Sequence, residues 1–275
     1  MTNEKQRILL VEDNEAYSDK AKEYFASREG VEIVHVSDYN EALAELLNPA
    51  IDAVITDCFF PESTGTNSKG LVNIVLDKLV DNMISRYDSQ SFLENVSKVV
   101  DLDRDLKLQL QAYFLQERYF KDLSEKLGKS NEETRSGENN IKPILGSLKT
   151  IDRTKRTDHL RNYLGMVVRP IGANRCSTIE LYRKLEKAIE DSESNQPLGI
   201  LVVEKAIELG KPYIIATSTY HHDDLTQLIC DYQRSYNWPE IVDCSNWGKK
   251  RETKESIEFW EKAYKELQEQ VSKNE

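Results

Sequence analysis

The sequence predicts an α/β protein: a doubly wound, five-stranded parallel sheet interrupted by a mostly helical insertion. Three observations predict it. Short apolar runs at 8–11, 31–36 and 52–57 alternate with helical patterns, as strands joined by crossover helices do. Two of these runs end on acids, Glu12-Asp13 and Asp57. The same alternation returns after residue 197, once a long and differently patterned stretch has passed.

The elements follow in order. Ile8-Leu9-Leu10-Val11 has the unbroken apolar character of a strand buried on both faces. A helical pattern with Ala16, Tyr17, Ala21, Tyr24 and Phe25 on one face closes near Gly30. Val31 to Val36 alternates as the second strand. Ser37 and Asp38 offer caps for a helix carrying Ala42, Leu43, Leu46 and Leu47, which Pro49 stops. Asp52 to Asp57 is the third strand. Residues 63–70 read as loop, and from Leu71 the signal is helical through Ile74, Val75, Leu79 and Met83. A second helix carries Phe92, Val96, Val99 and Val100, and a longer one runs from Leu106 to Leu127. The polar, aperiodic residues 128–140 are expected to be mobile. A helix begins at Ser177, where Ser177 and Glu180 form a capping box. After a linker at 191–196, Leu198 to Leu209 is helical and Tyr213 to Thr217 is a strand. Residues 223–234 form another helix, and Ile241 to Cys244 a weak fifth strand. Glu252 to Val271 is a charged amphipathic helix with Ile257, Trp260, Ala263, Tyr264 and Leu267 on one face, so Trp260 and Tyr264 should pack on the sheet.

These elements divide the chain into an α/β domain (5–65 and 197–250), a helical insertion (66–196) and a C-terminal helix (251–272) that packs on the α/β domain. A second division remains open, in which Gly70-Leu71-Val72 opens the domain's own third helix and the insertion begins later.

Composition removes several function classes. The 37 Lys and Arg against 48 Asp and Glu leave a net charge of −11, which disfavours a general nucleic-acid binder. One basic segment, 142–175, stands apart: Lys142, Lys149, Arg153, Lys155, Arg156, Arg161, Arg169 and Arg175 face only Asp152 and Asp158. It suits nucleic acid or an acidic partner, or it neutralises the protein's own acidic surface. No apolar run reaches membrane-span length and the N-terminus lacks a signal-peptide pattern, so a cytoplasmic protein is expected. Cys58, Cys176, Cys230 and Cys244 lack zinc-ligand spacing and read as buried thiols, with Cys58 pointing into the core. There is no dinucleotide fingerprint, P-loop or nucleophile elbow. The Asp-x-Asp pair of a Toprim nuclease is missing after Thr56. His221-His222-Asp223-Asp224 reads as a polar helix cap more readily than as a metal site.

In an open parallel sheet, functional residues gather at the carboxyl ends of the strands. Here those ends carry Glu12-Asp13, Asp57 and Thr217-Ser218. Three carboxylates from neighbouring strands repel one another without a cation. With a carbonyl and waters they make an oxygen site that suits Mg²⁺. Such a metal can clamp a phosphoryl group moving to one of the carboxylates.

These residues resemble a response-regulator receiver domain. The segments that carry the resemblance are ILLVEDNE at 8–15, ITDCFFP at 55–61 with Gly65 behind it, and KPYIIATS at 211–218. The resemblance covers about 5–65 and 197–245 and implies the flavodoxin-like, CheY-like receiver fold. It implies that Asp57 accepts a phosphoryl group from a histidine kinase or another phosphodonor. Glu12, Asp13, Asp57 and the backbone carbonyl of Phe59 would hold Mg²⁺, and Thr217 would be the switch hydroxyl. The only catalysis implied is self-phosphorylation and autodephosphorylation. The implied partners are an output protein and a second copy of the chain.

Three departures bear on these expectations. Receivers carry a lysine, normally followed by proline, at the end of the fifth strand, and residues 241–246 hold none. Lys249, or Lys250, is the candidate substitute, reaching in from the following loop. The insertion enters beside the phosphoacceptor loop, and TSTYHHDD at 217–224 is not the usual sequence after the switch residue. Three readings therefore stand: a phosphorylated receiver with output through the insertion, a pseudo-receiver scaffold without phosphoryl transfer, and a binder of nucleic acid or an acidic partner through 142–175.

Overall fold

Five strands, β1 (Gln6–Val11), β2 (Val31–Val36), β3 (Ala53–Thr56), β4 (Tyr213–Thr217) and β5 (Val242–Asp243), pair in parallel in the order β2-β1-β3-β4-β5. The computed structural model describes residues 5–63, 70–85, 90–114, 137–167, 177–192, 196–218, 225–244 and 253–274. The order explains the apolar pattern. β3 is central and wholly buried, whereas β2 lies at an edge and is mostly half-buried.

Helices cover both faces of the sheet. On one face lie α1 (Glu15–Ala26) and the C-terminal α11 (Ile257–Asn274). Ile8, Leu10, Ala53, Ile55, Ile214 and Ala216 pack there against Ala21, Tyr24, Phe25, Phe259, Trp260 and Leu267. Every second strand residue belongs to this set, the spacing a pleated strand requires. On the other face lie α2 (Tyr39–Leu46) and α9 (Gly199–Glu208), which touch each other as well as the sheet. Trp260 is fully buried, and Tyr264 lies edge-on to Phe25 at 5.5 Å.

Between β3 and β4 the regular elements among the described residues are helices: α3 (Gly70–Ser85), α4 (Gln90–Ser97), α5 (104–114), α6 (Gly137–Leu148), α7 (Arg153–Val167) and α8 (Ser177–Asp191) precede α9. Residues up to Leu76 and from Leu181 onward form one compact unit, and Asp77–Glu180 forms a second. Within the second unit the three arginines of the basic segment among the described residues are engaged. Arg153 pairs with Asp101, Arg161 with Asp103 and Asp158, and Arg156 donates to the carbonyls of Val99, Lys149 and Ile151.

Several boundaries differ from the sequence reading. Residues 137–140, expected to be mobile, open α6, which also holds Pro143; a proline removes a ladder hydrogen bond and hides such a helix from a pattern reading. The basic segment contains α7, whose start is capped by Asp152 Oδ1 accepting the Thr154 N–H at 3.0 Å. The α1 cap is Asn14, whose side chain accepts from Ala16 and Tyr17. Helix α11 starts at Ile257, not at Glu252, because Ser256 Oγ accepts the Phe259 N–H at 3.2 Å. The linking helix α10 (Gln227–Ser235) begins four residues later than the sequence reading placed it; residues 221–224, the His-His-Asp-Asp run, lie outside the described residues. Among the described residues no helix is long and apolar enough to cross a membrane.

The return of the chain at α9 is tightly fitted. Phe60 N–H donates to the Gln196 carbonyl at 3.1 Å, and Gly199 N–H to the Cys58 carbonyl at 3.2 Å. A Cβ on Gly199 would overlap the Asp57 carbonyl oxygen and meet the Cys58 Cα at 3.0 Å. Backbone cannot step aside as a flexible side chain can. Gly199→Ala should therefore cost about 1–3 kcal/mol by overpacking, read as a lower denaturant midpoint with an unchanged slope; a midpoint equal to wild type would show that the contact relaxes freely.

Candidate functional site

The order β2-β1-β3-β4-β5 reverses direction between β1 and β3, and a crevice opens outside the carboxyl ends of strands at such a switch point. The backbone closes both strand ends there. Asp57 N–H donates to the Val11 carbonyl at 2.8 Å, and Glu12 N–H to the Val36 carbonyl at 3.0 Å. Glu12 and Asp13 leave β1 and Asp57 leaves β3, so the topology alone delivers three carboxylates to one crevice.

One oxygen from each of Glu12, Asp13 and Asp57 lies within 4.8 Å of the others. Glu12 and Asp57 are buried and Asp13 half-buried. All three donors are hard carboxylate oxygens, a set able to hold a metal ion of the Mg²⁺ or Ca²⁺ type in preference to a soft one. Phe59 lies buried two residues beyond Asp57 in the same loop. Thr217, fully buried, ends β4, the strand next to β3.

The residue that sequence reasoning missed is Lys254. Its side chain is fully buried, and its Nζ lies 2.5 Å from Glu12 Oε2 and 3.1 Å from Asp57 Oδ1. It also lies 5.7 Å from the centre of the Tyr17 ring, within reach of a cation–π attraction. Its carbonyl accepts the Trp260 Nε1–H at 2.8 Å, which fastens the turn at 253–256 to α11. Lys249, the expected substitute, and Lys250 lie outside the described residues; among the described residues the ammonium paired with Asp57 is that of Lys254. The signal was in the sequence. Ser256 is a sound N-cap, and reading it so puts Lys254 in the loop after the fifth strand instead of on a helix.

Secondary contacts set the orientation of the acids. Asp57 Oδ1 accepts the Cys58 N–H at 2.6 Å. Glu12 Oε1 accepts the Asn14 N–H at 3.1 Å, and the Glu12 carbonyl is bonded to His35 Nε2 at 2.9 Å. Cys58 is fully buried, and burial with Asp57 beside it pushes its thiol well up, so it is an inert packing group.

Among the described residues, the carboxylates of Glu12, Asp13 and Asp57 meet the ammonium of Lys254 at this crevice. Burial pushes the Glu12 carboxyl up to about 7, with the Lys254 ammonium opposing and the Asp57 carboxylate assisting. Burial also works against the Lys254 charge, but Asp57 and then Glu12 overcome it and hold that ammonium above its usual range.

No protein-family model, curated protein or solved structure matches the chain.

Two predictions follow from the charges of the crevice. Glu12 titrates near 7 when folded against 4.5 for the unreacted group, so its contribution is fully present below pH 4.5 and is lost as pH rises through 7. In the absence of divalent cations, stability should fall by about 3 kcal/mol across that window, and Glu12→Gln should flatten the fall in thermal melts at pH 5 and pH 8. An equally steep profile in Glu12→Gln would assign the effect to another group. Lys254→Met, which keeps the volume and removes the charge, should cost about 3–5 kcal/mol in metal-free protein, with part of the loss recovered on adding Mg²⁺. A variant as stable as wild type would mean the ammonium is dispensable to the fold.

Proposed function

We propose that the protein is a receiver-like signalling protein that accepts a phosphoryl group on Asp57. The observation that carries this reading is Lys254, ion-paired to both Glu12 and Asp57 in a crevice that also holds Asp13. It supplies the ammonium whose place residues 241–246 leave empty of lysine, and so removes one of the two observations behind the pseudo-receiver reading.

Each group has a task. The Cys58 N–H and Lys254 both engage Asp57 Oδ1, so the carboxylate's second oxygen is the nucleophile. That oxygen forms a bond to phosphorus as the bond to the donor's leaving group breaks, and the electron pair departs with the leaving group. Lys254 then exchanges part of its contact with the carboxylates for the phosphoryl oxygens. Thr217, at the end of the adjacent strand, donates its hydroxyl to the same oxygens. Water attack on phosphorus later releases inorganic phosphate and restores the carboxylate. Glu12, Asp13, Asp57 and the Phe59 carbonyl would hold Mg²⁺, which would supply charge neutralisation for the phosphoryl group.

Output runs through the helical unit Asp77–Glu180, acting as an insertion. Support for this comes from where the chain leaves and returns: Phe60 and Gln196 are bonded to each other three residues or fewer from Asp57 and Gly199. A change in the loop after Asp57 is therefore felt at both ends of the intervening segment.

The test is intact mass after incubation with acetyl phosphate and Mg²⁺. Wild type should gain one phosphoryl group that base and hydroxylamine remove, and Asp57→Asn none. Absence of an adduct on folded wild type, with Mg²⁺ binding intact, would favour the pseudo-receiver scaffold. Equal uptake by Asp57→Asn would overturn the assignment of the nucleophile.

A further inference from the structure

A second concave site lies at the opposite end of β4 from Thr217. Tyr213 opens that strand, and beside it a cavity of about 590 Å³ is walled by Tyr213, Tyr232, Tyr236, Trp238 and Glu204, with Lys211 at one side. The volume falls within the range of small-molecule sites, roughly 300–1,000 Å³.

The aromatic wall is set by backbone geometry. Helix α10 ends in a left-handed residue, Asn237 at φ 53°, with the Asn237 N–H donating to Arg234 and the Trp238 N–H to the Gln233 carbonyl at 3.1 Å. This pair of hydrogen bonds at a helix end fixes the next residue's direction. The Gln233 side chain then donates to the carbonyls of Trp238 and Pro239 at 3.1 and 2.7 Å. Trp238 is thereby held against Tyr232 at 5.5 Å and Tyr213 at 6.2 Å, both edge-on. Tyr236 stands 6.2 Å from the same indole and remains 57% exposed, so the ring cluster keeps an open side.

The polar groups decide what such a wall accepts. Glu204 contributes a carboxylate, which accepts the Tyr232 hydroxyl at 2.7 Å. The Lys211 ammonium is turned to the carbonyls of Asn48 and Ile51 and is committed there. Ring faces and one carboxylate attract a cation. A primary ammonium brings three N–H donors that need acceptors, and aromatic rings supply few. An alkylated ammonium brings none.

We infer that this cavity binds a small quaternary-ammonium compound, its cationic head against Trp238 and Tyr236 and its charge facing Glu204. The site is separate from the carboxylate crevice and does not depend on phosphorylation.

Titration calorimetry on the full chain tests it, with choline, ethanolamine and the neutral isostere 3,3-dimethylbutan-1-ol as probes. Choline should bind in the millimolar range or tighter, about tenfold or more above the neutral alcohol and above ethanolamine. Tyr236→Leu, an exposed and structurally mild change, should weaken choline by about 3- to 30-fold, as should Trp238→Leu. Glu204→Gln should weaken it by a smaller factor. The inference is overturned by no choline heat up to about 50 mM, by a neutral alcohol that binds as well as choline, or by a folded Tyr236→Leu protein that binds choline like wild type. Ethanolamine binding as tightly as choline would overturn the quaternary class.

Discussion

A buried ammonium set between carboxylates is the constraint on which the rest of the molecule depends. Two unit charges about 3 Å apart attract by roughly 5 kcal/mol at an effective dielectric near 20. Removing each from water costs several kcal/mol. One carboxylate would therefore leave Lys254 near break-even, and the second tips the balance. The chain after β5 has to return to the crevice to place this side chain, and the Trp260 indole bonded to the Lys254 carbonyl ties that return to the docking of α11. Core packing and site charge thus share one anchor.

The sheet supplies the other half of the arrangement. Because the strand order reverses between β1 and β3, the residues leaving these strands diverge around a crevice with no strand to fill it. Short polar side chains on the first residues past each strand then meet without any contribution from a long loop. The same end of the sheet is sealed from below by α9, whose glycine permits backbone to lie on backbone.

What the sequence disclosed and withheld follows from the range of the signals involved. The strands were legible because each buried residue type repeats within a few positions, and β1 through β4 fall where the apolar runs do. The three acids were legible because strand ends are local features. Lys254 was not, because its partners Glu12 and Asp57 lie far away in sequence and a two-residue β5 gave little to count from. Its neighbours also suit a helix, and only the Ser256 cap marks the true boundary. Helices α6 and α7 were hidden for a different reason. Pro143 argues against the first, and the second is a largely polar helix whose arginines meet Asp101 and Asp103 from another stretch of chain. Part of the imbalance in the basic segment is met by acids distant in sequence, Asp101 for Arg153 and Asp103 for Arg161.

The bonded pair Phe60 and Gln196 has a consequence for how the molecule assembles. All chain between them forms a closed loop, and β3 cannot pair with β4 until that loop is shut. The entropy of closure rises only with the logarithm of length, about 0.6 kcal/mol for each doubling. A loop this long therefore costs roughly 3 kcal/mol more than one of about five residues, a modest equilibrium penalty. The kinetic effect is larger, since distant contacts slow the search for the native pairing. Early collapse of the intervening helices would shorten the effective loop, making them an internal aid to completing the sheet.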